Sequence, residues 1–261
     1  MTYLTLFRSY LRVSAMGELQ YRANFFIQIF DSLIKLAVGL FGLYLVFSYT
    51  NTLGGWSQAE LLTVMGVYTL VGGIIRTFID PNMQRLQEDV QQGTLDYALT
   101  KPEDSQLLVS IRETRLWQLT DVVLGIGITV FSVWQLREAF GLPQLAAFLF
   151  LLALGTLMIY SVWLMFTASA FWFVRVGDVF DIFEGMYQTG RYPVGIYPGW
   201  LQGILTFLVP IAFAITLPSE ALTNRLTLPS FGLAVVMALV LFTAARLLWR
   251  AALRRYSGAS A

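Results

Sequence analysis

Six long apolar stretches divide the chain almost completely, at about residues 23–49, 58–79, 116–136, 142–174, 199–217 and 230–249. A bilayer core about 30 Å thick needs about 20 apolar residues at the helical rise, and only segments that close their own hydrogen bonds survive in lipid. The expected fold class is an all-α integral membrane protein with six transmembrane helices. The polar remainder is too small for a soluble catalytic domain, so function has to act in or across the membrane.

Only 13% of the residues are charged, against 57% hydrophobic and 15% aromatic, where globular chains carry about 25% charge. One transmembrane domain over residues 1–261 is the reading. Histidine and cysteine are both absent, which removes the commonest general base, the thiol nucleophile, disulfides and the usual zinc, copper, haem and iron–sulfur ligand sets. No Gly-x-x-x-x-Gly-Lys-Ser/Thr loop occurs, so nucleotide hydrolysis by that route is excluded. No catalytic residue, metal or cofactor is expected on this chain, and no nucleic-acid partner. The first apolar stretch is too long for a signal-peptide core and no small-residue cleavage site follows it, so the N-terminus reads as retained.

The net charge of +1 conceals an asymmetry. With the N-terminus inside, fourteen of the seventeen basic residues collect on one side: Arg8, Arg12, Arg22, Arg76, Arg85, Lys101, Arg112, Arg115, Arg175, Arg191, Arg246, Arg250, Arg254 and Arg255. Arg137 and Arg225 fall outside and Lys35 lies within the first span. The positive-inside rule then makes both termini cytoplasmic. Most tryptophans lie near the expected interfaces, where they mark depth rather than ligand.

Before the first span, Tyr3, Leu4, Phe7, Tyr10, Leu11 and Ser14 recur at helical spacing with Arg8 and Arg12 on the other face, as in an interface helix over residues 1–20 that turns into the bilayer near Gly17. After span two, Pro81 opens a polar helical run over 83–92, and Gly93 stands where a helix C-terminus favours a left-handed residue. The charges Arg85, Glu88, Asp89 and Asp96 alone suit a solvated connector. Leu86, Val90, Leu95, Tyr97 and Leu99 do not, and they point to a docked segment over 81–102. A second inner segment, 174–197, carries Asp178, Asp181 and Glu184 at three-residue spacing. No further oxygen ligands accompany them, so a polar helix face is preferred to a cation site.

Ionisable residues also lie inside the spans. Asp31 and Lys35, four apart on one helix face, are expected to pair. Arg76 and Asp80 repeat that spacing at the inner end of span two, and Asp121 stands at a similar depth in span three. They read either as structural ion pairs near the inner interface or as a polar lining at the cytoplasmic mouth of a pathway. Gly195, Gly199 and Gly203 form a small-residue ladder where helices could approach closely, and Pro210 should bend span five.

The chain resembles the membrane subunits of type-2 ATP-binding-cassette exporters, specifically a poorly characterised bacterial six-span subgroup. The resemblance rests on the N-terminal surface helix, on the run from Gln92-Gly93-Thr94-Leu95-Asp96-Tyr97 to Thr100-Lys101-Pro102, on Tyr192-Pro193, and on Leu208-Val209-Pro210-Ile211-Ala212-Phe213 and Leu217-Pro218-Ser219-Glu220-Ala221-Leu222. It implies a permease subunit in a bacterial cytoplasmic (inner) membrane, paired with a second copy or a related permease. It also implies separate cytosolic ATPase subunits that bind ATP and Mg2+ and contact the short helix between spans two and three. Met83, Arg85, Leu86, Glu88, Asp89, Val90 and Gly93 then become the coupling residues, with Leu86 and Val90 as anchors. Gly195, Gly199 and Gly203 become a candidate dimer seam, against the alternative of a contact within the chain. An ion-coupled secondary transporter or channel is the competing function. It would favour an internal repeat and midplane charges, and neither is evident. An intramembrane hydrolase lacks histidine and a Gly-x-Ser-x-Gly elbow.

Overall fold

A computed structural model describes residues 3–19, 22–136, 140–172 and 177–256, and its regular elements there are all helical. They are α1 (Tyr3–Leu19), α2 (Arg22–Tyr49), α3 (Gln58–Ile74), α4 (Asp80–Gln92), α5 (Asp96–Leu99), α6 (Ser105–Ser110), α7 (Leu119–Leu136), α8 (Leu142–Ser169), α9 (Gly177–Gln188), α10 (Gly199–Gly203), α11 (Leu217–Leu222) and α12 (Leu228–Leu253). Arg137 and Arg175, the end of the expected fourth span, and the side chains of Asp178 and Asp181 lie outside the described residues. So do residues 20–21, where the chain passes from α1 to α2. The end of the bundle holding residues 50–57 is called outer, following the charge bias.

Span two does not stop at Ile79. A π turn over Ile75–Ile79 joins α3 to α4, and Gln58–Gln92 forms one helix of 35 residues, about 52 Å long at 1.5 Å per residue. A bilayer core is about 30 Å thick, so the inner part of this helix extends beyond it. Ser57 and Glu60 close a capping box at its start, and Gly93 ends it in the left-handed region at φ 69°, where glycine alone carries no Cβ penalty.

The core seam joins α3 to α7 in antiparallel register. A Cβ built on Gly73 would lie 2.6 Å from the Val122 nitrogen, one on Gly66 would lie 2.8 Å from the Thr129 nitrogen, and one on Gly125 would overlap the Leu70 backbone. Glycine at these positions lets the two backbones touch, which in lipid replaces the hydrophobic drive that water would supply. The buried hydroxyls in the seam are satisfied, with Thr63 donating to Ser132 at 2.9 Å and Thr129 to the Gly125 carbonyl at 2.8 Å. A second pair, α8 and α12, runs parallel and is keyed by the stacked rings of Phe150 and Phe231. Little of α2 is buried, and it lies at the edge of the bundle.

The fifth crossing differs from the expected one. The apolar segment 199–217 is not a single span, because Gly199–Leu208 and Ala212–Leu222 meet at 79°. Pro210 lacks an N–H and drives Val209 into extended backbone (φ −119°, ψ 96°), so the first helix ends there. Both outer ends of this pair face the same side. Before it, Ile196 sits against Gly54 in the outer loop; after it, Arg225 is bonded to Glu60 and to the Gly55 carbonyl. Its apex lies inside the protein, with Ala214 seated on Gly155 at mid-span of α8 and with Val209 and Ile211 buried. Irregular backbone is tolerated at membrane depth only where protein covers it. Residues 199–222 therefore form a re-entrant pair entering from the outer side.

The crossing itself is made by 177–197, expected to be an inner segment. Phe183 packs edge-on to Trp163 in the inner half of α8, Tyr187 stacks on Tyr68 at mid-span, and Ile196 arrives at Gly54. Hydropathy missed it because α9 is only twelve residues long, carries acidic positions and is continued by short 3₁₀ turns. Arg191 consequently lies inside the bundle rather than in an inner loop.

Candidate functional site

At the inner end, residues 93–115 fold back against the extension of span two. Asn82 holds the returning chain by accepting from Glu113 N at 2.9 Å and donating to its carbonyl at 2.8 Å, and Arg115 pairs with Asp80 at 3.1 Å. Asp89 is buried and takes Arg112 as its ion-pair partner, Arg85 at 3.4 Å, and the Thr94 hydroxyl at 3.0 Å. The segment is tied onward to two other spans. Arg246 of α12 pairs with Asp104 and donates to Gln106 at 2.8 Å, while Tyr160 of α8 bonds Gln106 and Ser110 at 3.1 and 2.7 Å. Lys101 reaches the Tyr10 hydroxyl of α1 at 3.0 Å. The Arg246 guanidinium beside Asp104 holds that carboxyl below the usual carboxylate range. The segment is thus tied to α1, α4, α8 and α12 through short polar contacts.

The expected anchors face inward. Met83 and Leu86 are completely buried in the chain's own core, and Val90 is half-buried against it. An apolar stripe at positions 83, 86 and 90 has the right period for either a partner groove or the chain's own bundle, and here α4 lies on α6 and α8. Asp89 likewise serves an internal clamp rather than a rim. Among the residues open to a partner are Arg85, Glu88, Tyr97 and Leu107, of which Tyr97 is 78% exposed. A large aromatic ring so exposed on a folded segment is the feature that the inward-facing stripe obscured.

The intramembrane charges pair, one couple as its spacing suggests and the others with different partners. Asp31 and Lys35 form an i,i+4 bridge at 2.6 Å on the half-exposed face of α2. Arg76 and Asp80 do not bond each other. The turn between them is a π turn, whose wider ring spoils the i,i+4 stacking, and each finds a partner elsewhere. Arg76 donates Nε and Nη2 to Asp121 at 3.2 and 2.7 Å, and Asp80 takes Arg115. Beside the Arg76 pair is a cavity of about 420 Å³ between α2, α3 and the fifth crossing. Lys35, Arg76, Asp121, Glu184 and Arg191 line it together with Gly42, Val38 and Tyr68.

Gly195, Gly199 and Gly203 do not form one helical ladder. Gly195 belongs to a separate 3₁₀ turn, and only Gly199 and Gly203 share α10. A Cβ on any of the three would meet nothing within 4 Å. Gln202 donates to the Gly195 carbonyl at 3.2 Å, and all three glycines lie on the outer side.

The family model described as ABC-2 family transporter protein matches residues 33–260. No curated protein and no solved structure matches the chain. The family's membrane subunits move molecules rather than catalyse reactions, which agrees with a helical bundle holding polar groups within a membrane-spanning fold. The match begins within the first crossing and covers every later crossing, the inner segment and the re-entrant pair, so the chain belongs to the ABC-2 transporter family as a multi-pass membrane permease subunit.

Proposed function

We propose that the chain is the permease subunit of an exporter driven by a separate cytosolic ATPase, with both termini in the cytoplasm of a bacterial cell. Two permeases, identical or related, would form the pathway, and the ATPase would hold ATP and Mg2+. The observation that carries this reading is the construction of the inner end. An exposed aromatic ring, Tyr97, stands on a segment bonded to α4, the inner extension of span two, and to α8 and α12, so a partner gripping it would move three crossings together. The ATPase contact therefore belongs on Tyr97 and Leu107, with Arg85 and Glu88 at its rim, instead of on Leu86 and Val90. Buried aromatic anchors carry most of the affinity in such contacts, and rim charges mainly set orientation and association rate.

The test is purification of the tagged chain from its own cells, followed by identification of bound subunits and reconstitution into vesicles. Co-purification of an ATPase, with ATP-dependent movement of cargo away from the ATPase side, supports the proposal. Transport that needs an ion gradient and no ATPase would establish the secondary-transporter alternative.

A further inference from the structure

We propose that the cavity between α2, α3 and the fifth crossing binds the phosphate-class headgroup of an amphipathic molecule, with Arg191 as the counter-charge. The inference deepens the export reading, on which it rests, by naming the chemistry of the cargo. The other cations of the cavity are already matched: Lys35 by Asp31 at 2.6 Å and Arg76 by Asp121 at 2.7 Å, with Glu184 also close to Arg76. Arg191 makes no ion pair among the described residues. Its guanidinium lies 5.6 Å from the centre of the Tyr68 ring. That ring is fixed from its own side, stacked on Tyr187 at 4.9 Å, while the Tyr187 hydroxyl donates to the Tyr68 carbonyl at 2.7 Å.

An arginine at membrane depth without a carboxylate marks a ligand or ion path, because the uncompensated charge is costly there. Stacking over an aromatic face leaves the planar fork of N–H donors available, and that fork matches phosphate oxygens two at a time. Glu184 lies seven residues before Arg191, about 10 Å along a helix, so its charge sits toward Arg76 and leaves the Arg191 end of the cavity positive.

The cavity selects an amphiphile over a free anion through its mouth. About 420 Å³ holds a headgroup but not a pair of acyl chains. The cavity is open rather than enclosed, and Val38, which lines it, is 61% exposed, so its mouth lies beside the exposed face of α2. Ile34, Val38, Phe41 and Leu45 follow one another at four-, three- and four-residue spacing and are all exposed. They form a continuous apolar stripe along which a tail could lie while its headgroup sits at Arg191.

Binding can be measured on the purified full-length chain alone, by native mass spectrometry from a neutral detergent. The probes are phosphatidic acid, diacylglycerol with the same acyl chains, and inorganic phosphate. The expected result is one retained phosphatidic acid, bound at least tenfold more weakly by Arg191→Gln and restored in large part by Arg191→Lys. Gly42→Leu should weaken it as well, since a Cβ there meets nothing within 4 Å and the added side chain would fill the cavity without disturbing packing. That variant carries the test should Arg191→Gln fail to fold. Diacylglycerol should bind at least tenfold more weakly than phosphatidic acid, and inorganic phosphate should not displace it. Unchanged binding in Arg191→Gln or in Gly42→Leu overturns the site. Displacement by inorganic phosphate, or equal retention of diacylglycerol, overturns the amphiphile. Loss of a dimer in Arg191→Gln with phosphatidic acid still bound would assign Arg191 to a carboxylate of a second copy and also overturn the proposal. No ATPase or nucleotide enters the assay, so its failure leaves the export reading standing, and failure of the export reading leaves its result intact.

Discussion

Gly125 and Gly127 stand two residues apart on α7 and differ only in the face they present. At Gly125 an added Cβ would come within 2.8 Å of Leu70 Cβ and closer still to the Leu70 backbone; at Gly127 it would meet nothing within 4 Å. Carbon atoms in contact sit about 3.5–4.0 Å apart, so Gly125→Ala forces α3 and α7 apart by about 0.7 Å or more. Backbone rather than a flexible side chain lies in the way, which places the cost at the upper end of the overpacking range, about 3 kcal/mol. Replacing a helical glycine by alanine returns about 1 kcal/mol of propensity. Gly125→Ala should therefore lose about 2 kcal/mol net and Gly127→Ala should gain up to about 1 kcal/mol, a gap of about 3 kcal/mol. The chain contains no cysteine, so two introduced thiols can carry the tags for steric-trap unfolding in bicelles without interference. Variants equal to within about 0.5 kcal/mol, the size of an ordinary surface effect, would refute the close approach of α3 and α7.

Three further outcomes follow from the architecture. With the fifth crossing at 177–197, Gly195→Cys should react with an impermeant thiol reagent from outside, together with Thr52→Cys and Asn224→Cys, while Gln92→Cys should not; reaction of Gly195→Cys only from inside would restore 199–217 as the span. Asp121→Asn should strand the Arg76 guanidinium and cost about 3–5 kcal/mol, whereas the double change with Arg76→Met should cost less than the sum of the two single changes; strictly additive losses in the same unfolding assay would remove the pair. Because Arg246 depresses the Asp104 carboxyl below its ordinary value, that contact contributes stability above pH of about 4 and loses it only as pH falls through the lowered value. Acid unfolding of Asp104→Asn should accordingly lack a component present in the parent, and identical acid profiles would count against the tie.

Hydropathy found the five long helices because each is a continuous apolar run that needs no knowledge of its neighbours. It failed at the fifth crossing for the same reason. Summed hydropathy cannot distinguish a span from a re-entrant pair of equal apolar content, and Pro210 identifies a break without saying on which side the chain returns. The acidic, twelve-residue α9 looked like a cytoplasmic helix, and only its contacts with Tyr68 and Trp163, with Ile196 beyond it reaching Gly54, reveal a crossing. At the candidate site, the left-handed Gly93 and the Asp31–Lys35 pair depend on local geometry and could be read from adjacent residues. The facing of Leu86 could not, since an amphipathic stripe records a period and not a partner. The close approaches of Gly66, Gly73 and Gly125 in the seam, and of Gly155 under Ala214, are to residues far away in sequence, so their pairing exists only in three dimensions.

On the proposed function, a cytosolic ATPase grips the exposed inner segment and moves the crossings bonded to it. Site-specific photocrosslinking in intact cells tests this directly, with a photoreactive residue introduced in turn at Tyr97, Leu107, Leu86 and Trp200. Tyr97 and Leu107 face outward at the inner end, Leu86 is buried and Trp200 is exposed at the outer end. Positions 97 and 107 should each give one adduct whose added mass is that of an ATPase subunit, and positions 86 and 200 should give none with it. An ATPase adduct at position 200, or its absence at both 97 and 107 from cells in which the ATPase co-purifies, would contradict the claim.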